Sequence, residues 1–364
     1  MASKRTPVKK AKQSGKPATL RDIAERADVH LSTVSRVLNP ATGKVISNDV
    51  AERIRAIAKE MGYRTNPFGY GLRTKKSNTI GVVIPDLTNP VFPPIIRGIE
   101  HALRDFDYTA ILADSDESVK DERVIIERMQ SRQVEGLILA TAHRADQIVA
   151  NMIQYGTPTV LINRTTDDDR VLSVTNDDYR GAMLAVDHLL ELGHRKIAHL
   201  AGPQYLATGH RRKKGYLEAI KRRKIKANKN LLITCDAFGV EDGYKGFNKL
   251  LKCDVPFSAI FCGNDALALG CYNAMHEAGL SCPDDISIIG YNNMPFVDMV
   301  QPALSTVQID LYQMGIRAAK ILMNVANAID EPSIPVILDP ELIVRESTAV
   351  NPFGDGRGKV FASR

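Results

Sequence analysis

Nothing in this sequence is long and apolar enough to span a bilayer as a helix, which takes about 20 consecutive apolar residues, so no membrane-spanning helix is expected. The opening MASKRTPVKKAKQSGKPA is basic and is followed by no apolar core, so it does not read as a secretory signal. Cysteine is sparse and unpaired in pattern: Cys235, Cys253, Cys262, Cys271 and Cys282 form an odd set without a CxxC, which suits buried thiols in a reducing cytosol. HExxH, GxSxG and Walker-type motifs are missing, and the eight histidines show no paired spacing. The run Asp167–Asp169 has no histidine or further carboxylate at ligand spacing and reads as a solvated loop. No activated nucleophile or acid–base pair stands out, so an enzyme is not expected, nor a cofactor or a metal.

Acidic residues are scarce only at the front. Residues 1–76 hold 17 Lys and Arg against 6 Asp and Glu, whereas residues 77–364 hold 31 against 36. A basic module joined to a mildly acidic body is the pattern of a polyanion binder, since neutralising phosphates supplies most non-specific affinity for nucleic acid. The full 364 residues exceed what one hydrophobic core holds and suggest two or three domains.

Within the basic part, LRDIAERADVHLSTVSRVLN places Leu20, Ile23, Ala24 and Ala27 at helical spacing and then, after a short turn, Val34, Val37 and Leu38. The two helices must bury their stripes on each other, leaving Leu31, Ser32, Ser35 and Arg36 outward. An ordinary αα-hairpin would show the same pattern. A third helix over Ser47–Met61, stopped by Gly62, completes a small headpiece and favours a helix-turn-helix whose second helix enters a major groove. Residues 1–18 read as a disordered basic arm, 19–63 as the headpiece and 64–77, with Pro67, Gly69 and Gly71, as a linker.

From Thr79 the pattern becomes short apolar runs, at 79–84, 109–113, 136–140, 159–162, 196–200, 259–262 and 286–291. Helical segments alternate with them near 92–105, 119–131, 177–192, 211–223, 264–278 and 311–325. Such alternation predicts α/β architecture with parallel sheets covered on both faces, in two lobes, with a ligand beyond the carboxyl ends of the strands.

TLRDIAERADVHLSTVSRVLN, MGYRTNPFGYGLRTKKSNTIGVVIPDLTNPVF, HLLELGHRKIAHLAGP, GNDALALG and PDDISIIGYNN occur in that order, and over about Thr19–Ser347 the chain resembles the LacI/GalR family of bacterial transcription regulators. The resemblance implies an all-α helix-turn-helix headpiece, a hinge and a periplasmic-binding-protein-like core. That core would span 78–348, with one lobe about 78–175 and 308–335, the other about 176–307 and 336–348, and a flexible tail at 349–364. It also implies a cytoplasmic, nucleoid-associated homodimeric repressor of double-stranded operator DNA, switched by a small-molecule effector. An inducer is the default and a corepressor the opposite case. The dimer interface is expected near Phe92–Ala102 and Asn273–Leu280; a tetramer is not expected, because the tail lacks heptads. A solute-binding protein or a cleft enzyme on the same core are the rivals.

By the same resemblance, Leu31, Ser32 and Arg36 would read bases, and Thr33, Ser35 and Asn39 would contact phosphate. Leu20 and Arg21 join the DNA face. Tyr63 and Asn66 begin the hinge, and Leu72 would wedge into the minor groove. His30 stands where the family has a small polar cap; it would cap less well but can donate to a phosphate. The effector pocket is expected from Phe92, Asn163, Thr208, Arg212, Phe238, Asn264 and Asn292. Asn163 and Asn292 stand where sugar-binding relatives have aspartates, which predicts a site more hospitable to an anion such as a sugar acid or sugar phosphate, with His210, Arg211 and Arg212 close by.

Overall fold

The computed structural model describes residues 18–38, 46–63, 76–168, 170–253, 255–329 and 334–354. Contacts divide the chain between Ser77 and Asn78 into two compact units.

The first unit contains helices α1 (Leu20–Ala27), α2 (Leu31–Leu38) and α3 (Asn48–Glu60). Eight-residue helices are unstable alone, so packing and caps must hold them. Thr19 and Asp22 cap α1 reciprocally, with the Thr19 amide donating to Asp22 at 2.8 Å and the Asp22 amide donating back at 3.3 Å. The turn passes through Asp28, left-handed at φ 49°. His30 then caps α2: its Nδ1 accepts from the Ser32 amide at 3.2 Å, the work a serine or aspartate usually does. Ile23, Ala24, Ala27, Val34, Val37, Ala51, Ile54 and Ala58 form the shared core.

The second unit holds two six-stranded sheets. One contains β1 (Thr79–Ile84), β2 (Thr109–Asp114), β3 (Leu137–Leu139), β4 (Thr159–Ile162), β5 (Ser173–Asn176) and β11 (Val336–Leu338), ordered β11-β5-β4-β3-β1-β2 and entirely parallel. The other contains β6 (Ile197–Ala201), β7 (Leu232–Thr234), β8 (Ala259–Cys262), β9 (Ser287–Asn292), β10 (Ser305–Gln308) and β12 (Glu341–Ile343), ordered β12-β10-β9-β8-β6-β7, with only β12 antiparallel. Central strands are buried along their whole length, as parallel sheets with helices on both faces require. The helices are α4 (Phe92–Arg104), α5 (Val119–Ser131), α6 (Gln147–Gln154), α7 (Asp178–Glu191), α8 (Ala207–Arg222), α9 (Val240–Leu251), α10 (Asp265–Glu277) and α11 (Leu311–Ala326).

The chain passes between lobes three times: at Asp177, between β10 and α11, and between β11 and β12. The last crossing differs from the sequence reading, which gave 336–348 to the second lobe; Val336–Leu338 extends the first sheet instead, paired with β5. The tail also starts later than expected, since buried Asn351 donates from its backbone to Leu192 at 2.8 Å and from its side chain to Gly193 at 3.2 Å. Strands β5, β7, β10, β11 and β12 and helices α6 and α9 are additions to what the sequence suggested. No helix among the described residues is long and apolar enough to cross a membrane.

Candidate functional site

Between the sheets, at the carboxyl ends of their strands, lies a cavity of about 340 Å³ including its open mouth. Its walls are Asn89, Val91, Phe92, Asn163, Arg164, Thr208, Arg212, Phe238, Asn264 and Asn292, so all seven effector residues expected from the sequence meet around one space. Val91 and Arg164 are additions to the residues expected from the sequence. Arg164 adjoins Asn163 in sequence, and Asn89, at the cleft wall, also has an Oδ1 that accepts from the Val91 amide at 3.1 Å.

Backbone geometry fixes several of these groups. Asn163, at the end of β4, has φ 64°, and the Arg164 amide closes a three-residue turn across it onto the Ile162 carbonyl at 2.6 Å. Asn292, at the end of β9, has φ 109°. Both are conformations that L residues seldom adopt and asparagine tolerates better than most. Phe238 packs against Gly202 so closely that a Cβ there would stand 2.1 Å from the ring, so the ring keeps this place only over glycine. Asn264 is committed to structure: its Oδ1 caps α10 by accepting from the Leu267 amide at 2.9 Å, and its Nδ2 donates to the Phe238 carbonyl at 3.0 Å.

Charge in the cleft is balanced within the protein. Arg212 donates from Nε to Asp178 at 2.8 Å and from Nη1 to the Gly263 carbonyl at 2.6 Å, with its guanidinium 3.7 Å from the Tyr291 ring centroid. Both partners of that pair are buried. Burial pushes the Asp178 carboxyl above its ordinary value, opposed by the arginine charge and hydrogen bond. Arg164 is bidentate on Glu117 at 2.7 and 3.0 Å. The anion-favouring cleft expected from its asparagines is therefore not matched by free positive charge: Asp178, unnoticed in the sequence, supplies a carboxylate from the start of α7. Asn163, Thr208 and Asn292 keep side chains with no hydrogen-bond partner among the described residues, all facing the cavity.

In the headpiece, Val34 and Val37 turn inward, while Leu31, 45% exposed, and exposed Arg36 face out with partly exposed Ser32, Thr33 and Ser35. Arg21 and His30 are exposed; Leu20 and Tyr63 pack against the headpiece core. The α2 face is thus a strip of three small hydroxyl residues, one leucine and one arginine, on a helix that a major groove admits. Asn39, Asn66 and Leu72 lie outside the described residues.

A helix-turn-helix unit followed by a two-lobed body with a polar inter-lobe cavity defines the class of ligand-regulated DNA-binding proteins. Residues 19–66 match the family described as bacterial regulatory proteins, lacI family, and residues 77–341 match periplasmic binding proteins and sugar binding domain of LacI family. The chain belongs to the LacI family. It is similar to the HTH-type transcriptional regulator RegA of Clostridium saccharobutylicum, 32% identical over 334 residues, which cover 91% of this chain and 99% of the relative. Among solved structures it resembles the Lac repressor dimer bound to operator and the anti-inducer ONPF, with a TM-score of 0.81, 25% identity, and coverage of 92% of this chain and 100% of that one. It also resembles a LacI family regulator from Enterococcus faecium with bound ribose, with a TM-score of 0.66, 31% identity, and coverage of 75% and 99%. The chain is a DNA-binding transcriptional regulator switched by a small-molecule effector.

Proposed function

We propose that the chain is a homodimeric repressor released from its operator when a neutral, polyhydroxylated ring such as a monosaccharide closes the inter-lobe cavity. The observation that carries this reading is the unspent hydrogen-bonding capacity of Asn163, Thr208 and Asn292 beside the Phe92 and Phe238 rings, with both arginines neutralised inside the protein. Amide and hydroxyl groups match sugar hydroxyls as donors and acceptors, and an aromatic face covers the apolar side of a ring. Amides neither take nor give protons near neutral pH, which supports binding without chemistry.

On the DNA side, Leu31, Ser32 and Arg36 read bases in the major groove. Thr33, Ser35, Asn39 and His30 hold backbone phosphates, with Leu20 and Arg21 on the same DNA face, and Tyr63, Asn66 and Leu72 serve the hinge. Two headpieces take half-sites about one helical turn apart. The effector acts only through its differential affinity for the two lobe arrangements, a coupling of about 1–3 kcal/mol.

Calorimetry with neutral monosaccharides and their phosphates, paired with operator anisotropy, tests this. A neutral sugar should bind and weaken operator affinity, and Thr208→Val should lose one hydrogen bond worth about 1 kcal/mol, roughly a fivefold weaker Kd. Binding of the phosphate with none of the neutral sugar would reject the ligand class, and tighter operator binding with sugar would reverse the sign of regulation.

A further inference from the structure

A second hollow, about 440 Å³, lies against the same inter-lobe wall and is lined by Thr165, Thr166, Asp168, Val171, Ser173, Thr175, Arg211, Pro335 and Ile337. Its lining mixes hydroxyls with the apolar Val171, Pro335 and Ile337. Ser173 and Thr175 alternate on β5 and point to one face, and Thr165 joins them from the loop after β4. The three residues are 5%, 2% and 5% exposed, respectively, and their hydroxyls, which have no hydrogen-bond partner among the described residues, open onto this hollow. Three hydroxyls whose donors and acceptors are unspent within the protein converge on one space, where a ligand can take the place of water.

Arg211 supplies the charge. It lies on α8 in the other lobe and makes no ion pair among the described residues, in contrast to Arg212 beside it. The carboxylate at this rim, Asp168, is already held by Arg170 at 2.9 and 2.6 Å. The remaining hydroxyl of the lining, Thr166, is turned to Asp168, accepting from its amide at 3.2 Å. What is left over is one guanidinium that makes no ion pair among the described residues, although its charge reaches Asp178, and three hydroxyls around an open hollow.

We propose that this hollow is a second ligand site, taking a small oxyanion either free or as the phosphate of a metabolite. The guanidinium gives the anion paired N–H donors, and Thr165, Ser173 and Thr175 donate to its other oxygens. The loop after β4 gives Asn163 and Arg164 to one cavity and Thr165 and Thr166 to the other; α8 divides Arg212 and Arg211 in the same way. The positive charge that the sequence suggested for the effector cleft thus serves its neighbour.

The test is calorimetric titration of the full-length protein with inorganic phosphate and with glycerol phosphate, against chloride at matched ionic strength, in wild type, Arg211→Gln, Thr175→Val and Phe238→Ala. Because the basic headpiece also takes up anions, the difference between wild type and variants is the readout. Saturable phosphate binding should weaken about tenfold in Arg211→Gln and about fivefold in Thr175→Val and stay unchanged in Phe238→Ala. Preference for glycerol phosphate would identify a head-group site and preference for inorganic phosphate a free-anion site, and either supports the proposal. Equal affinity in wild type and both site variants, or loss in Arg211→Gln with none in Thr175→Val, would overturn it, the latter leaving only a surface cation.

Discussion

His199 shows how much a single position can hide. It stands fully buried in β6 between the rings of Tyr216 and Phe261, at centroid distances of 4.8 and 4.7 Å, with Nδ1 on the Phe261 carbonyl at 2.8 Å and Nε2 without a partner among the described residues. Burial pulls its pKa down to about 4. The unfolded chain, with an ordinary histidine near 6.5, binds a proton that the folded chain refuses between these values, so acidification from pH 6.5 toward 4 erodes stability. At 1.36 kcal/mol per unit this one group is worth up to roughly 3 kcal/mol. Glu122 and Asp265, both raised to about 7 by burial, act in the opposite sense, because the folded state holds their protons longer. The comparison of variants isolates the histidine: His199→Phe should gain melting temperature relative to wild type as the pH is lowered from 7 to 4, and a pH-independent difference would assign the site to packing alone. The sequence offered nothing to separate this histidine from the other seven, because its partners arrive from β8 and α8. The same reason kept Asp178 unread as the counter-charge of Arg212, 34 residues away in the chain. The seven cleft residues, by contrast, were nominated by family resemblance and line one cavity.

At the scale of elements, strands announced themselves wherever Val, Ile and Leu run together, as in β1, β4 and β9. They stayed silent where neighbours supply the burial: β5 is Ser-Val-Thr-Asn, and β7, β11 and β12 have three residues each. Helix α9 was masked by Gly243 and Gly246, residues that read as helix breakers until packing is known. Glycines at helix contacts have a use that propensity cannot reveal. Helices α4 and α11 meet so closely that a Cβ on Gly315 would stand 2.1 Å from the Ile95 carbonyl, and one on Gly98 would stand 2.2 Å from the Tyr312 carbonyl. Glycine-to-alanine inside a helix is ordinarily worth up to about 1 kcal/mol in favour of alanine. Here the clash is with backbone and cannot be relieved by a rotamer, so Gly315→Ala should destabilise by about 2–3 kcal/mol in chemical denaturation. A neutral or stabilising result would mean that the two helices slide apart at no cost. His30 shows the reverse case: the residue was noticed as a departure, and the structure shows its ring nitrogen doing the capping.

For the whole molecule, the uneven distribution of charge was the most legible feature, and it carries the most direct prediction. If operator affinity comes chiefly from the front 76 residues, log Kd should rise linearly with log salt, with a slope of about 0.9 per phosphate neutralised. Six to ten such contacts would cost about 10³–10⁵ in affinity between 50 and 200 mM salt. Anisotropy over that range measures it, and a flat line would remove the headpiece from the account. The body, by contrast, could be assigned from the sequence to two parallel-sheet lobes but not divided correctly between them, because only strand pairing shows that β11 returns to the first sheet. That weaving has a practical outcome. Neither lobe is an uninterrupted piece of chain, so a fragment excised at Asp177 forfeits an edge strand and the helix α11 that covers its own sheet. A single proteolytic nick at any one passage, on the other hand, leaves two tethers intact, and the cleaved product should still run as one body until denaturant pulls it apart.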